Sequence, residues 1–250
     1  MRGAAFEACG CFPTGRHYPG VAHLLRTVAR GLLDEIAADS AWAELPIAVI
    51  DVETTGTDAS VDRIVEVGIA IARGGELVQS KNWLVNPGLP IPKEASDVHK
   101  ITDEVVRDAP RFEAVALEIA AVLVGCVPGA YNASFDRSFL ASEMARAGVA
   151  QERLPPPLRR NVEWLDPLVW AREVQQGERS RTLLEVATRL GIALEKAHRA
   201  SDDAEAALRV MLALGRDPRV PRSYAALVQE QRRLAMVQAD ERRLKWRDGF

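Results

Sequence analysis

The hexapeptide Asp51-Val52-Glu53-Thr54-Thr55-Gly56 constrains this chain most, because it follows an apolar run, Ile47 to Ile50, and carries two acids. Such a run predicts a buried β-strand. Strand side chains alternate between faces, so Asp51 and Glu53 point the same way, roughly 6.6 Å apart along the backbone. Burying two unpaired carboxylates costs several kcal/mol, and the hexapeptide contains no Lys or Arg. The sequence therefore predicts a cation or basic partners beside these acids.

Length and composition limit the class of protein. With 250 residues, 48% of them hydrophobic, the chain can bury one large domain with appendages. Because the net charge is -3, a nucleic-acid partner would need a local basic surface. The three cysteines, Cys9, Cys11 and Cys126, lack zinc-site spacing and favour a reducing compartment. The sequence has neither a membrane-length apolar run nor a signal-peptide core. We therefore expect a cytoplasmic protein without membrane partners.

The order of predicted elements indicates an α/β fold, a mixed sheet with helices on both faces. Three strands between Leu45 and Val85 form an antiparallel meander, with a turn at Arg73-Gly74-Gly75. After Pro92 helices alternate with two short strands, Val127 to Tyr131 and Asn161 to Leu165. Helical spacing covers residues 96–108, 112–124, 134–147, 168–174, 182–190 and 202–214.

The two ends of the chain differ from this central region, residues 45–215. Residues 1–44 predict an N-terminal extension, with a disordered start and then a helix from Val21 to Ala43. Residues 216–250 hold nine basic and five acidic residues, and they predict a basic amphipathic helix with a thin apolar seam of Leu227, Leu234 and Val237. Two interpretations of this tail stay open: a solvated helix lying on the domain, or a contact with nucleic acid or a protein partner.

Three more polar clusters occur at the ends of predicted elements. Asp136 lies in the first turn of a predicted helix, where an acid usually stabilises the helix dipole by less than about 1 kcal/mol. Asp202 and Asp203 open the last predicted helix, where acids are common caps, and His198 precedes them. The third cluster, Val98 to Thr102, contains His99. Taken singly, each cluster is typical of ordinary local structure.

Taken together, the clusters resemble the three exonuclease motifs of the DEDDh, or DnaQ-like, 3′–5′ exonucleases. The matching segments are Asp51 to Gly56, Asn132 to Asp136 with Phe139-Leu140, and His198-Arg199-Ala200 with Asp203 five residues after the histidine. The resemblance spans about Leu45 to Leu214 and covers neither terminus. It implies a ribonuclease-H-like sheet, in which a meander is followed by parallel strands.

The resemblance also implies the chemistry of the site. Two divalent ions would be surrounded by four carboxylates: Asp51, Glu53, Asp136 and Asp203. Oxygen ligands favour Mg²⁺ or Mn²⁺ over zinc, and two ions roughly 4 Å apart can align the attacking water and the leaving oxygen. Asp51 would bridge the two ions. His198 would be the general base, since its reference pKa is about 6.5. Asp202 is the rival of Asp203, and the family spacing favours Asp203.

Substrate contacts follow from the same resemblance. The turn of Thr54, Thr55 and Gly56 offers hydroxyl and backbone N–H groups and would meet the terminal nucleotide. His99 would pack on or bond to the terminal sugar and base, while Asn132 and Phe135 would shape the floor of the site. Two positions depart from the family: Lys100 stands where Gly is common, and Tyr131 where His is common. The substrate preference therefore stays open.

Three functions fit these observations. The leading prediction is a metal-dependent 3′–5′ exonuclease that releases nucleotides from single-stranded or frayed DNA 3′ ends, as proofreading or repair enzymes do. An exoribonuclease or RNA 3′-end-trimming enzyme would use the same chemistry, and no residue clearly reads the 2′ hydroxyl. The third is an inactive module that binds nucleic-acid ends, or a polymerase through the terminal helices. Because all five catalytic positions are filled, the sequence favours an active enzyme.

Overall fold

The computed structural model describes residues 30–193 and 199–247. Four strands form a sheet in the order β3-β2-β1-β4, with the bounds β1 Ile47–Thr54, β2 Ile64–Arg73, β3 Glu76–Leu84 and β4 Val127–Gly129. β1 and β3 run antiparallel to β2, whereas β4 runs parallel to β1. The predicted meander and mixed sheet are therefore confirmed. The shared direction of β1 and β4 brings their carboxyl ends to one edge of the sheet.

The eight α-helices of the described residues are α1 Lys93–His99, α2 Asp103–Val106, α3 Phe112–Val122, α4 Ser134–Arg146, α5 Pro167–Val174, α6 Leu183–Arg189, α7 Ala200–Leu214 and α8 Tyr224–Arg247. Side chains of β1 alternate between two cores: Ile47 and Val49 pack with α5 to α8, whereas Ala48 and Ile50 pack with α3 and α4. Helices therefore cover both faces of the sheet. Within the described ranges, no helix has the length and apolar character needed to cross a membrane.

The predicted strand at residues 161–165 is wrong. Two isolated bridges replace it, from Gly31 to Val162 and from Gly129 to Leu165. Leu165 donates its N–H to the Pro128 carbonyl at 2.8 Å, but the next residue, Asp166, already caps α5. Because the chain turns into the helix at once, the pairing cannot extend into a strand.

The N-terminal helix prediction is wrong for residues 30–41, which form turns followed by a 3₁₀ turn at Trp42–Glu44. Residues 21–29 lie outside the described residues. Carbonyls in this segment bond to distant elements: Ser40 accepts from the N–H of Tyr224 at 2.9 Å, and Ala38 accepts from Ala225 at 2.9 Å. Tertiary hydrogen bonds thus replace the helical ones that the spacing suggested.

The C-terminal region is helical, as predicted, but its first half is buried rather than solvated. Tyr224 and Leu227 are fully buried, and both belong to the core that also contains Leu33 and Trp42. Gln231 is buried too, and it accepts from the Asp166 N–H at 2.8 Å and from the Trp170 indole at 3.2 Å. The division of the chain into three regions stays a prediction, although the described parts of both ends share one core.

Candidate active site

Three carboxylates meet at the end of β1. Asp51 and Glu53 lie on β1, Asp203 lies in the first turn of α7, and one oxygen of each lies within 4.8 Å of the others. All three side chains are partly buried. Asp202 does not belong to this group. The structure therefore places Asp203, which the family spacing favoured over Asp202, beside Asp51 and Glu53. Three oxygen donors at this separation suit a hard divalent cation.

Gly68 allows α7 to approach this closely. It is the β2 partner of Asp51, and a methyl group at Gly68 would overlap the carbonyl group of Ala200 and the backbone nitrogen of Ser201. The missing side chain therefore lets the first turn of α7, which carries Asp203, pack beside Asp51. A glycine in the middle of a strand was the sequence signal for this close approach.

Asp136 approaches the same strand from α4. Its carboxylate is 3% exposed, and it accepts from the N–H of Val52 at 3.0 Å. It lies outside the group of three mutually close carboxylates, but its charge raises the pKa of Asp51. The four predicted metal ligands thus surround the carboxyl end of β1, with Asp136 on the side of α4.

The pKa values show how strongly these acids disfavour their charged forms without a cation. Burial raises the pKa of Asp51 well above its usual range, and the neighbouring charges of Asp136, Glu53 and Asp203 raise it further. Burial, followed by the charges of Asp203 and Glu66, raises the pKa of Glu53 to about 7. Burial also raises the pKa of Asp136, although the Val52 N–H opposes that shift. A divalent ion would relieve this repulsion, so the donor set fits a metal.

Glu66 is a fully buried acid beside the cluster that the sequence did not single out. It faces Glu53 across β1 and β2. Arg199 donates to it from Nη2 at 2.7 Å and from Nε at 2.9 Å, and the Ala200 N–H donates at 2.9 Å. A further bond comes from the Asn82 amide at 2.8 Å. Glu66 therefore fastens the start of α7 to the sheet.

The predicted general base, His198, lies outside the described residues. Its neighbour Arg199 is described, and the hydrogen bonds of Arg199 to Glu66 fix the chain immediately after the histidine. The role of His198 stays a prediction from the family resemblance.

The Thr54-Thr55-Gly56 turn is held by its own hydroxyls. Thr54 donates to the Gly56 carbonyl at 2.6 Å, and the Thr55 hydroxyl accepts from the Arg63 N–H at 3.0 Å. A methyl group at Gly56 would overlap the Asp62 carboxylate. The turn is thus rigid beside the acids, as a nucleotide-positioning turn would need to be.

His99 is attached to the end of β1. It is 3% exposed, its Nδ1 accepts from the Ile101 N–H at 3.0 Å, and its Nε2 lies 3.3 Å from the Thr54 carbonyl. These partners fit the neutral tautomer protonated on Nε2, and burial lowers the pKa of His99. Lys100 follows with φ 61°, in the left-handed region that glycine adopts most easily.

Asn132 lies in the turn between β4 and α4, and Phe135 lies in the first turn of α4. Asn132 has φ 69°, and its N–H donates to one oxygen of Asp166 at 3.0 Å while that of Ala133 donates to the other at 3.1 Å. The Phe135 ring lies 4.8 Å from that of Phe139. Asp166 therefore holds the backbone of this turn, and Asn132 is exposed at the rim.

A second buried acid, Glu143, anchors the loop after β1. It is 1% exposed and accepts from Arg63 Nε at 2.6 Å and from Arg146 Nη1 at 3.0 Å. Arg146 also donates to the carbonyls of Ala59 and Asp62 at 2.9 and 3.0 Å. The β1–β2 loop is therefore fixed to α4, and the sequence singled out none of the three residues of this network.

A mixed sheet whose central strand ends in a cluster of carboxylates, with helices on both faces, defines a ribonuclease-H-like nuclease fold. The chain belongs to the RNase T-type exonuclease family, since the family model described as "Exonuclease" matches residues 48–211. The family resemblance and the expected fold are confirmed.

Several known proteins are similar to parts of this chain. A "DNA polymerase III PolC-type" of Thermotoga maritima is 29% identical over 194 residues, which is 77% of this chain and 14% of the polymerase. A "3'-5' exonuclease DinG" of Staphylococcus saprophyticus is 27% identical over 165 residues, 66% of this chain and 17% of that protein. The chain thus spans less than a fifth of either relative.

Two solved structures share the fold. Exonuclease X, "in complex with 5' overhanging duplex DNA", has a TM-score of 0.54 and 22% identity, covering 73% of this chain and 99% of that chain. Exonuclease I of E. coli, in complex with a dA16 oligonucleotide, has a TM-score of 0.60 and 18% identity, covering 70% of this chain and 42% of that chain.

Proposed function

We propose that this chain is a metal-dependent 3′–5′ exonuclease that hydrolyses the terminal phosphodiester bond of single-stranded or frayed DNA. The observation that carries the proposal is the meeting of Asp51, Glu53 and Asp203, from β1 and α7, within 4.8 Å in a chain of the exonuclease family. The likeness to a DinG exonuclease and to DNA-bound structures supports DNA as the substrate. The likeness to a PolC-type polymerase supports a proofreading setting with a polymerase partner.

The acids would hold the metal. Asp51, Glu53 and Asp203 would bind one divalent ion, and Asp51 with Asp136 would bind a second, with Mg²⁺ or Mn²⁺ suiting these oxygen donors. Bound there, the ions would supply Lewis-acid stabilisation of the charge that develops on the phosphate. The sheet and α7 hold the donors in place before a ligand arrives. Such preorganisation lowers the cost of assembling the site.

The other site residues would handle the proton and the nucleotide. His198 would accept a proton from the attacking water, and the Glu66–Arg199 contact would position the chain next to it. The rigid Thr54-Thr55-Gly56 turn would hold the terminal nucleotide. His99 would contribute packing, since its ring nitrogens already have protein partners. Asn132 and Phe135 would form the floor. We also propose a cytoplasmic location, on the cysteine content alone.

The test is digestion of 5′-labelled DNA and RNA oligonucleotides with Mg²⁺, with Mn²⁺, or with EDTA. We expect a ladder shortened from the 3′ end, with DNA preferred and no cleavage in EDTA. Asp203→Asn should abolish cleavage, whereas Asp202→Asn, one residue away and outside the cluster, should retain it. Preferred cleavage of RNA would make the chain an exoribonuclease. No shortening with either metal would contradict an enzymatic function.

A further inference from the structure

A groove lies between α5, the loop that follows it, and α8. It consists of a cavity of about 1000 Å³ and an adjoining one of about 280 Å³, and both are lined by Asn132, Arg172, Gln238 and Arg242. Five arginines line the two cavities together: Arg137, Arg172, Arg179, Arg181 and Arg242. We call this feature the arginine groove. Its α8 wall, from Gln231 to Arg242, is roughly 16 Å long at 1.5 Å per residue.

One end of the arginine groove lies at the same edge of the sheet as the acid cluster. Asn132 follows β4, which runs parallel to β1, so both strands end at this edge. Asp136 lies one helical turn beyond Asn132 in α4, and its carboxylate reaches the Val52 N–H of β1. A polymer chain whose end occupies the acid cluster could therefore continue into the groove.

The arginines of the groove differ from the other arginines near the C-terminus. Arg219, Arg233 and Arg243 line neither cavity, and each has a carboxylate partner, at 2.9, 2.6 and 3.6 Å respectively. Among the described residues, Arg179 and Arg242 form no ion pair within 4.0 Å. Four acids also line the groove: Glu163, Asp166, Glu173 and Glu241. Five arginines against four acids leave the groove with an excess of positive charge, and Arg179 and Arg242 have no direct carboxylate partner among the described residues.

Arg172 and Arg242 also repel each other. Burial lowers the pKa of Arg172, and the charge of Arg242 lowers it further. Arg172 donates from Nη1 to the amide oxygen of Gln238 at 3.5 Å, a long hydrogen bond. Arg181, by contrast, is engaged by the protein: its Nη2 donates to the carbonyls of Gln175 and Gln176 at 2.6 and 2.8 Å, so it shapes the wall of the groove. The guanidinium groups of Arg172, Arg179 and Arg242 suit phosphate oxygens, which accept two N–H bonds from one arginine.

We propose that the arginine groove binds the phosphodiester backbone of the strand whose 3′ end occupies the acid cluster. This inference rests on the proposed function and adds the path of the substrate. Two aromatic residues line the groove, Tyr131 and Trp164. The hydroxyl of Tyr131 already donates to the Arg181 carbonyl at 2.6 Å. Binding there is therefore to the backbone and independent of base sequence.

The test compares two double variants of exposed arginines. Arg179→Ala/Arg242→Ala removes two charges from the arginine groove, and Arg233→Ala/Arg243→Ala removes two charges outside it. Fluorescence anisotropy measures the binding of a labelled DNA 12-mer and a trinucleotide at several salt concentrations, in the Asp51→Asn background so that the DNA is not consumed. Thermal melting checks that each variant is folded.

We expect the groove variant to bind the 12-mer roughly tenfold more weakly, with the salt slope reduced by about 0.7 for each phosphate that the variant no longer binds. The trinucleotide should be affected less, because it does not reach along the groove. Equal losses of affinity in the groove and control variants, or an unchanged salt slope, would overturn the proposal. So would a groove variant that loses binding of a labelled Asp/Glu-rich peptide while keeping its affinity for the 12-mer, because the groove would then bind an acidic protein.

The outcome is separable from that of the proposed function. Release of mononucleotides by the wild-type chain is measured in parallel. A chain that releases none, but whose groove variant still binds the 12-mer more weakly, supports the groove and contradicts the exonuclease function alone.

Discussion

The molecule contains two groups of carboxylates, one fully buried and one partly buried, and their partners differ. Glu66 and Glu143 are 0% and 1% exposed, and each accepts hydrogen bonds from an arginine at 2.7 and 2.6 Å. Asp51 and Glu53 form no ion pair with Lys or Arg within the described part of the chain, and their pKa values are raised by burial and by neighbouring acids. The protein thus neutralises its structural acids itself. We expect a cation from solution to neutralise Asp51 and Glu53.

The largest expected effect comes from a substitution in the acid cluster at the end of β1. Asp51→Asn removes a charged ligand that would bridge two ions, so turnover should fall about a thousandfold or more, which corresponds to roughly 4 kcal/mol. The amide has the same shape and lacks the repelled charge, so the metal-free variant should melt no lower than the wild type. Release of mononucleotides and thermal melting in EDTA measure the two effects. Wild-type turnover would contradict the bridging role.

The second effect concerns Glu143, one of the two acids that are paired with an arginine. Glu143→Ala leaves Arg63 without its carboxylate in a site where the arginine side chain is only 14% exposed. Removing one partner of a buried pair costs about 3–5 kcal/mol, which guanidinium denaturation would measure. Glu113→Ala is the control, because Glu113 lies 4.0 Å from the same arginine and is 47% exposed; it should cost under about 1 kcal/mol. Equal losses of stability would show that Glu143 does not anchor the loop.

The third effect concerns pH. The pKa of Glu53 is raised from 4.5 to about 7 in the folded chain, so its contribution to stability is fully present below pH 4.5 and is lost as the pH rises through 7. This rise in the pKa corresponds to roughly 3 kcal/mol. In EDTA, the wild type should therefore be less stable at pH 8 than at pH 5, and Glu53→Gln should reduce this difference.

Melting curves from pH 5 to 8, with and without Mn²⁺, measure that dependence. Mn²⁺ should stabilise the wild type at pH 8 and stabilise Glu53→Gln less. If the metal-free wild type gained stability as the pH rose through this range, the contrast between the two groups of acids would be contradicted.

The smallest expected effect comes from changing Arg199, the arginine partner of Glu66. Arg199→Lys keeps the charge but loses the second N–H bond, and because this side chain is 49% exposed the stability should fall by about 1 kcal/mol or less. Turnover should fall by more than the loss of folded protein explains, since residue 199 adjoins His198. Denaturation and turnover are compared in the same variant. A loss of stability with unchanged turnover would make the contact purely structural.

The sequence allowed some parts of the site to be predicted because they depend on local patterns. The apolar run before Asp51 and the alternation of strand side chains placed Asp51 and Glu53 on one face of β1. Helical spacing after Asn132 placed Asp136 in the first turn of α4. The choice of Asp203 over Asp202 came from the family motif, and the structure places Asp203 in the cluster.

Other features needed contacts between distant residues. Glu66 and Arg199 are 133 residues apart, and Arg63 and Glu143 are 80 apart. Which acid meets which arginine depends on strand register and helix packing. The predicted helix over residues 30–41 was wrong for the same reason, since hydrogen bonds to Tyr224 and Ala225 outweigh helical spacing.

The sequence by itself determined the first strand, the acids at its end and their need for a cation or basic partners, because strand periodicity and the cost of burying charge are local properties. Only the tertiary structure decided which acids receive an arginine and which do not. It did so through Gly68, whose missing side chain admits α7, and through the pairing of β1 with β2, which sets Glu66 beside Glu53. The distribution of charge at this edge of the sheet is a property of packing, and packing separates the acids that hold the fold from those left for a metal.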